Sequence, residues 1–404
     1  MGNLAETIMD GPAWLDYQAR TARLSQGLRD AAPGPVGLLR PPSASYRVRR
    51  PVPRRWVDLA GLDHVLEIPD HGNWVDVEGG TTWRQLVAVL APRGRLPAVV
   101  PESPDQAVGA ALADVAVGAA SFRYGPVHAT MVELDVLLPD GQVVRCSDEE
   151  REDLFHGFPG SCGTLGYVLR ARLRTVCVTP TVAVRDEPVA SSKRLVARLL
   201  ETDDDVLGIE GLARTGTGSV VRTARCLDGE PGLGEHAIAL QDWLWRWDVE
   251  TAPGAWTWRP AARLQFDGPA EDVVQDVLIP AAQAPALVDL VLQDLGIEPL
   301  WLCGVCSACA GARPLLTLRV DERYVNVGIW GRVQTGSAAS ARANRQLEAW
   351  VARLGGLKAP YAQCFLPSDE FDQAYDMAAY ARLKSKYDPR GLAPHLYDKC
   401  VRGG

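Results

Sequence analysis

The stretch from Pro101 to His128, PESPDQAVGAALADVAVGAASFRYGPVH, constrains the fold more than any other part of the chain. It is dense in Gly, Ala and Ser, and a strand, turn and strand follow at once in MVELDVLLPDGQVVRC. Small residues at this density indicate that something approaches the backbone closely. A ligand, a phosphate and another segment of backbone all satisfy that requirement, and tight strand packing without a ligand is the plain structural alternative.

Length and composition limit the class of protein to which this chain can belong. The 404 residues suit two domains or one large domain with an insertion, and 47% hydrophobic with 23% charged residues is ordinary for a globular protein. The net charge of -8 argues against a nucleic-acid partner, because phosphate binding needs a basic surface. We therefore expect a small-molecule substrate as the partner, and the sequence does not predict the oligomeric state.

Targeting signals and cysteines bear on the compartment. No window approaches the roughly 20 apolar residues of a membrane helix, and MGNLAETIMDG lacks the basic start and apolar core of an export signal. The nine cysteines, an odd number scattered through apolar runs, favour free thiols in a reducing compartment. The sequence therefore predicts a cytoplasmic protein without a membrane span.

The N-terminal part alternates helix and strand patterns. The patterns predict strands near Val65–Ile68 and Asn73–Glu78, a capped helix over Trp83–Leu90 and a strand over Tyr167–Val176. They also predict a hairpin at Pro139-Asp140-Gly141 and an amphipathic helix over residues 3–30, whose apolar set is Leu4, Ile8, Trp14, Leu15, Leu24 and Leu28. This order is typical of an α+β fold.

The composition changes near Thr179-Pro180, and strands and helices alternate from there to about Leu366. The patterns include a strand over Leu315–Val320 and a helix over Ala338–Leu354. A tryptophan-rich region between them is interpreted as core of a second domain, with an apolar substrate lid as the alternative; it contains Trp243, Trp245, Trp247, Trp256 and Trp258. One helix is predicted from Asp369 to just before Pro389.

Metal-site and nucleotide motifs are weak in this sequence. Cys303, Cys306 and Cys309 form CxxCxxC without a nearby fourth ligand, so we interpret these residues as small buried side chains and expect no metal. A Walker loop, HExxH, GxSxG and GxGxxG are all absent from the sequence. A P-loop nucleotide site, a zinc protease, a common hydrolase and a Rossmann nicotinamide site therefore have no support.

Four segments carry a family resemblance: the run from PES through SFRYG, the hairpin LLPDG, the segment FPGSCGTLGY and the ending EFDQAY…LYDKC. Together they resemble the flavoproteins related to Δ24-sterol reductase, in the vanillyl-alcohol oxidase superfamily. The resemblance implies an α+β, two-subdomain PCMH-type FAD-binding fold with an inserted α/β substrate (cap) domain. Residues 1–180 would form the FAD-binding domain and 181–366 the cap domain, while 367–404 would return to the FAD-binding domain.

The resemblance also implies which residues lie along FAD. RPPSASYR is similar to the family's first pyrophosphate loop and contains no His or Cys to tether the flavin, so FAD would be held non-covalently. The implied cofactor residues are Ser43, Ser45, Tyr46, Arg47, Gly109, Ser121, Arg123, Tyr124, Gly125, Val127, Gly163, Thr164, Leu165 and Gly166. Small residues and backbone N–H groups suit a dinucleotide laid along the main chain.

The chain departs from the family pattern in its cofactor-facing loops. Ala110 replaces the second Gly of a Gly-Gly pair, Asp114 stands at a position of small residues, and Gly118-Ala119-Ala120 replaces Glu-Ser-Ser. Ser368 stands where relatives often carry Arg or Lys. A carboxylate facing a diphosphate would repel it, and alanine donates no hydroxyl. Either FAD sits somewhat differently in this chain, or the fold has given it up.

Three hypotheses for function follow. The first is an FAD-dependent oxidoreductase that moves a hydride between flavin and a carbon centre, with Tyr124, Tyr361 and Tyr375 as candidate proton donors. The second is a flavin-free enzyme on the same fold that catalyses a cyclisation or elimination, with Asp114, Glu102 and Glu370 as acid/base candidates. The third is an inactive scaffold or binding protein.

Overall fold

The computed structural model describes residues 11–30, 34–39, 55–201, 204–215, 218–247, 270–311, 313–334 and 341–402. Helices and strands are mixed in the order that the sequence predicts, and the chain has the α+β fold of the PCMH type. Several residues of the sequence analysis lie outside the described ranges: Leu4, Ile8, Ser43, Ser45, Tyr46, Arg47, Trp256 and Trp258.

The first sheet belongs to the N-terminal part of the chain. It has the spatial order β3-β4-β8-β6-β7, and β5 also pairs with β8. The strands are β3 Val65–Glu67, β4 Trp74–Glu78, β5 Arg95–Pro97, β6 Met131–Leu137, β7 Val143–Ser147 and β8 Tyr167–Cys177. A separate parallel pair joins β1 Val36–Leu38 to β2 Arg55–Val57.

Helix α1, Pro12–Asp30, covers the polar face of this sheet. Arg170 is fully buried beneath it, and its guanidinium donates to Asp76 at 2.6 Å and to Asp135 at 2.9 Å. The Tyr17 hydroxyl of α1 also donates to Asp135, at 2.9 Å. Because each buried charge has a partner of opposite charge, this layer avoids the high cost of an isolated buried ion.

The apolar face of the sheet packs against short helices of the same domain: α2 Trp83–Leu90, α3 Val108–Ala113, α4 Ser121–Tyr124 and α5 Glu152–Gly157. Helix α2 begins with a capping box, in which Thr82 Oγ1 accepts from the Gln85 N–H and Gln85 Oε1 accepts from the Thr82 N–H. Its boundaries are those that the sequence predicts.

The second sheet begins at Thr181, and every described strand pair in it is antiparallel. Its spatial order is β12-β9-β11-β10-β14-β15-β13-β16. The strands are β9 Thr181–Val189, β10 Val206–Ala213, β11 Ser219–Cys226, β12 His236–Ala239, β13 Ala270–Pro280, β14 Leu300–Val305, β15 Tyr324–Gln334 and β16 Leu357–Lys358.

The two faces of the second sheet have different neighbours. One face packs against α6 Ser192–Leu199, α8 Ala284–Leu290 and α10 Arg342–Arg353 in an apolar core of its own. The other face contributes Trp301, Cys303 and Val305 to the core beneath the first sheet, where α7, Leu240–Leu244, also packs. This shared core places the junction of the two sheets where a ligand cavity is expected.

The C-terminal segment packs against the first domain. It contains α11 Ser368–Ala374 and α12 Met377–Tyr387. The remaining short helix, α9 Ser307–Ala310, lies between β14 and β15. The Tyr380 hydroxyl of α12 donates to Thr164 Oγ1 at 3.0 Å, and Lys386 pairs with Asp153 at 2.7 Å. No helix within the described ranges is long and apolar enough to cross a membrane.

Four local predictions are wrong. The strand predicted over residues 315–320 is absent, because this segment crosses between α9 and β15 as turns and irregular chain. The single helix predicted from Asp369 is two helices, α11 and α12, because Asp376 has a positive φ of 31° and caps α12. Leu15 is 54% exposed on α1. Strand β4 buries four consecutive residues because its polar side chains face the arginines beneath α1, so the alternating burial expected over residues 73–78 is absent.

Candidate functional site

A cavity of about 60 Å³ lies at the junction of the two sheets. One wall comes from the small-residue stretch, and the other comes from β13, β14, β15 and the loop after β16. Its lining residues are Pro101, Glu102, Ser103, Gln106, Asp114, Val115, Ala116, Val117, Asp276, Trp301, Trp330 and Tyr361. Three residues that the sequence analysis assigned to different hypotheses, Glu102, Asp114 and Tyr361, thus share one cavity.

Glu102 is a buried acid of the cavity with a raised pKa. Its side chain is 10% exposed, Oε1 accepts from Arg246 at 3.2 Å, and the buried Oε2 has no hydrogen-bond partner within the described structure. Burial raises the pKa of Glu102 to about 7 and the negative charge of Glu210 adds to that rise, while the positive charge of Arg246 and the backbone N–H of Ala119 oppose it. Such a carboxyl can both accept and release a proton near neutral pH.

Arg246 connects Glu102 to the inserted sheet. Its Nε donates to Glu210 Oε1 at 2.8 Å, and its guanidinium lies 3.8 Å from the centre of the Trp243 ring. Glu210 Oε2 also accepts from Trp301 Nε1 at 2.8 Å and from Trp247 Nε1 at 3.2 Å. This cluster satisfies Glu210 fully, and it holds the tryptophan-rich segment against the cavity wall.

A second proton-carrying pair faces the same cavity. The Tyr361 hydroxyl donates to Asp276 Oδ2 at 2.5 Å, and Asn326 donates to Asp276 Oδ1 at 2.8 Å. Burial raises the pKa of the Asp276 carboxyl, while the hydrogen bonds from Tyr361 and Asn326 oppose that rise. Asp276 comes from the middle of β13, and its short bond to Tyr361 fixes the phenol at the edge of the cavity.

The backbone of the small-residue stretch offers donors to the cavity. The N–H groups of Val115, Ala116 and Val117 make no hydrogen bond to any other described residue. Successive free N–H groups of this kind suit an electronegative atom of a ligand. Asp114 lies beside them and ends α3, so a carboxylate shares the wall with the donors.

Other residues of this stretch that the resemblance assigned to the cofactor form contacts within the protein. Gly109 packs against the Gly79 carbonyl, where an added Cβ would lie 2.9 Å from that oxygen. The buried hydroxyl of Ser121 accepts from the Gly118 N–H at 3.0 Å, and Val127 is fully buried with its N–H donating to the Ala116 carbonyl at 2.8 Å.

The inserted sheet docks onto Ser121, Arg123 and Gly125. The Cys306 N–H donates to the Ser121 carbonyl at 2.9 Å, and Cys309 Sγ lies 3.1 Å from the Arg123 carbonyl oxygen. Cys306 and Cys309 form a disulfide, so the expectation that all cysteines are free thiols is wrong for this pair. Their Cα atoms are 5.4 Å apart across one helical turn, which is within disulfide range.

The turn from Gly163 to Gly166 lies next to the C-terminal segment. The Thr164 hydroxyl donates to the Ser161 carbonyl at 2.7 Å and accepts from Tyr380, and Leu165 is fully buried in the core. Gly163 has a φ of +73° with its nearest neighbours 3.4 Å or more from an added Cβ, and Gly166 has a φ of +148° against β6. Both glycines thus occupy conformations that other residues rarely adopt.

The remaining candidate acids and bases lie apart from the cavity. Tyr124 is half-buried in α4, and Glu370 is exposed on α11, as is Ser368. Tyr375 is fully buried, donates to the Lys358 carbonyl at 2.8 Å, and has a pKa raised by that burial. None of these four residues lines this cavity or the second one, of about 230 Å³, beside α9.

Sequence reasoning missed Asp276, Arg246, Glu210 and Trp330. Asp276 is an acid directly before the apolar run VLIP of β13, which is a weak local signal. Arg246 stands between two tryptophans in WLWRWD, a pattern typical of a stacked cation. Nothing in the sequence placed either residue opposite Glu102.

Comparisons with known proteins agree with this architecture. Residues 54–147 match a family model described as FAD binding domain. The human Delta(24)-sterol reductase is 24% identical over 398 residues, which cover 85% of this chain and 77% of that protein. A Caenorhabditis elegans homologue of that reductase is 22% identical over 410 residues, covering 85% and 78%. Cytokinin dehydrogenase 5 of Arabidopsis thaliana is 35% identical over 115 residues, covering 28% and 21%.

Some polar groups of the described residues can bind FAD, whereas others are already bonded within the protein. The N–H groups of Val115–Val117, which have no partner among the described residues, suit the polar edge of a flavin ring, so the residues fit FAD at this end. The hydroxyls of Ser121 and Thr164 are already bonded within the protein. The family match and the relatives support FAD as the cofactor of an oxidoreductase.

Proposed function

We propose that the chain is a PCMH-type FAD-binding oxidoreductase of the vanillyl-alcohol oxidase superfamily and that it moves a hydride between FAD and a carbon centre of a small or medium metabolite. The reaction would take place in the cavity at the junction of the two sheets. Either dehydrogenation of the metabolite or reduction of a C=C bond is compatible with this site.

One observation carries the proposal. Glu102 places a buried oxygen without a partner in the same cavity as the free N–H groups of Val115–Val117. Buried polar atoms in proteins are nearly always bonded, so an unpartnered carboxylate oxygen in a cavity whose lining also includes residues with unpartnered N–H groups marks a place for a polar ligand. When bound, FAD would supply the hydride acceptor or donor.

The protein groups of the cavity would move the accompanying proton. Glu102, with a pKa of about 7, accepts the proton of a reacting hydroxyl or amine, or returns it in the opposite direction. The Tyr361 hydroxyl donates to Asp276, with 2.5 Å between the two oxygens, and this bond positions a second proton in the cavity. Tyr361 is therefore the member of the tyrosine set that the geometry favours as a proton donor.

The test is anaerobic mixing of FAD-loaded protein with candidate alcohols, amines and unsaturated acceptors. Loss of the visible flavin absorbance on mixing, slowed by about 100-fold or more in Glu102→Gln, is the expected result for a proton-transfer group. The matched control is Glu149→Gln, an exposed acid on the loop after β7. A flavin that bleaches equally fast in the Glu102 variant would remove Glu102 from the mechanism.

A second candidate function is a flavin-free acid/base enzyme on this fold. It is favoured by the small size of the cavity, which at about 60 Å³ is well below the roughly 300 Å³ of a pocket that encloses a whole ligand. It is also favoured by the internal bonds of Ser121 and Thr164. Glu102, Asp114 and the Tyr361–Asp276 pair would then carry a cyclisation or elimination.

Colour separates the two candidates. Protein that stays colourless after incubation with FAD and still converts a substrate, with loss of turnover in Glu102→Gln, supports the flavin-free enzyme. Colourless protein that binds metabolites and converts none corresponds to the scaffold hypothesis. Yellow protein with a flavin that substrate bleaches supports the oxidoreductase.

A further inference from the structure

The junction cavity is lined by acidic groups and, among the described residues, by no basic ones, so its charge is negative. Its described lining contains three carboxylates, from Glu102, Asp114 and Asp276, and no Lys, Arg or His. Its aromatic members are Trp301, Trp330 and Tyr361. Carboxylates and aromatic faces are the two kinds of group that attract an organic cation.

The cation nearest to Glu102 neutralises only part of this charge. Arg246 forms two bonds to Glu210, through Nε and Nη2, and reaches Glu102 Oε1 with one bond of 3.2 Å. One guanidinium is thus shared between two carboxyl groups, those of Glu210 and Glu102. Glu102, when ionised, contributes a net negative charge to the cavity.

The unpartnered oxygen of Glu102 is a separate sign of a ligand. Nine-tenths of the Glu102 side chain is buried, and Oε2 is bonded to nothing within the described structure. Leaving a buried carboxylate oxygen unsatisfied is costly, and a donor from a ligand removes that cost. For the ionised carboxylate, the missing group is a hydrogen-bond donor.

A metal ion is a poor match for the missing group. No three His, Cys, Asp or Glu side chains in the described ranges stand close enough together to hold a metal. An ammonium group instead has separate N–H donors and polarised C–H groups, so it can reach carboxylates that do not converge on one point. The cavity volume of about 60 Å³ suits such a head group and leaves the rest of the molecule outside.

We propose that the junction cavity receives the ammonium head of an amine, with an N–H donated to Glu102 Oε2 and the charge shared with Asp114 and Asp276. This inference rests on the proposed function for its identification of the cavity as the substrate site. Recognition of the amine itself requires neither turnover nor flavin. The proposal narrows the class of substrate from any small carbon compound to a compound with a basic nitrogen.

The experiment compares n-propylammonium chloride with n-propanol as probes of the purified full-length chain. Both are titrated at constant ionic strength, with sodium chloride as the salt control, and binding is followed by tryptophan fluorescence and by the midpoint of thermal unfolding. Trp301 and Trp330 line the cavity, so their emission reports occupancy. The variants are Glu102→Gln and Asp114→Asn, and Glu149→Gln is the charge-matched control distant from the cavity.

We expect propylammonium to change the emission and raise the unfolding midpoint, and propanol at the same concentration to do neither. Glu102→Gln should weaken propylammonium binding about tenfold or more, and Glu149→Gln should leave it unchanged. Asp114→Asn should weaken it too, which keeps the test valid if Glu102→Gln fails to fold. Equal responses to the amine and the alcohol, or full binding by both cavity variants, would overturn the proposal.

The outcome is independent of the test of function. If the protein is colourless and still prefers propylammonium, the amine site is supported and the flavin mechanism is contradicted. If the protein is yellow and lacks that preference, the oxidoreductase is supported and the amine site is contradicted.

Discussion

Arg246 of the inserted domain donates to Glu102 Oε1 of the FAD-binding domain at 3.2 Å, across the junction of the two sheets. The bond holds one oxygen of the carboxyl and leaves the other in the cavity. The position and the charge state of Glu102 therefore depend on how the inserted domain is docked. Any change that separates the two sheets should alter the proton affinity of the cavity as well as its shape.

Replacement of Arg246 should destabilise the protein strongly. Arg246→Met leaves Glu210 buried without its counterion, and breaking a buried ion pair costs about 3–5 kcal/mol. Arg194→Met, which removes an exposed pair with Glu201, should cost about 1 kcal/mol or less. Urea unfolding of both variants measures the difference, and equal losses would show that the Arg246 cluster does not hold the junction.

Glu102 should make stability fall as pH rises toward neutrality. Its pKa is raised to about 7 in the folded chain, above the value of 4.5 for an unperturbed glutamate. Between these values the folded chain holds a proton that the unfolded chain has released, so this contribution is complete below pH 4.5 and is lost as pH rises through 7. The loss is up to about 3 kcal/mol.

Unfolding free energies of the wild type and Glu102→Gln across this pH range check that sign. The difference between the two proteins should decline as pH increases, because the variant lacks the titrating carboxyl. A difference that is flat, or that grows with pH, would contradict the assigned protonation of Glu102.

His128 should make the protein sensitive to acid. It is fully buried, neither ring nitrogen has a partner among the described residues, and burial together with the charge of Arg313 lowers its pKa to about 3. A lowered histidine pKa contributes stability above the unfolded value of 6.5 that is lost as pH falls. Between pH 7.5 and 5.5 the loss is about 1 kcal/mol.

His128→Leu should remove that loss and should cost little at neutral pH, because an apolar side chain of similar size leaves no unsatisfied polar atom. Chemical denaturation at the two pH values compares the variant with the wild type. An equal acid loss in both proteins would assign the sensitivity to another group.

Tyr361→Phe should separate chemistry from folding. The change removes the hydroxyl that donates to Asp276 and keeps the ring beside Trp330, so the thermal midpoint should move by only a few degrees. If Tyr361 supplies a proton, turnover falls by about 100-fold or more with little change in KM. Tyr375→Phe is the contrasting variant, since Tyr375 lies outside the cavity and its loss should affect stability more than turnover.

Local patterns in the sequence predicted much of the fold. The Thr82–Gln85 capping box marked the start of α2, and the alternation after Gly166 marked β8, because both depend on neighbours in the chain. The break at Asp376 was missed because it depends on a left-handed backbone conformation at a residue other than glycine. The burial of Asp76 was missed because its partner, Arg170, lies on another strand.

The site was predicted only in part for the same reason. The small-residue stretch pointed to Glu102 and Asp114, and the family motifs pointed to Tyr361. Asp276 and Arg246 come later in the chain; the antiparallel sheet brings Asp276 to the cavity, and Arg246 contacts Glu102 without lining the cavity. Long-range pairing of this kind leaves little trace in a single sequence, whereas turns and caps do.

Titration of the purified chain with FAD, followed by gel filtration and a visible spectrum, tests the assignment to a flavin-dependent oxidoreductase. The account predicts quenching of FAD fluorescence on binding and flavin absorption bands that travel with the protein through the column. Glu149→Gln should bind FAD equally well, since its side chain lies away from the cavity. A folded wild-type protein that stays colourless in excess FAD would contradict the account.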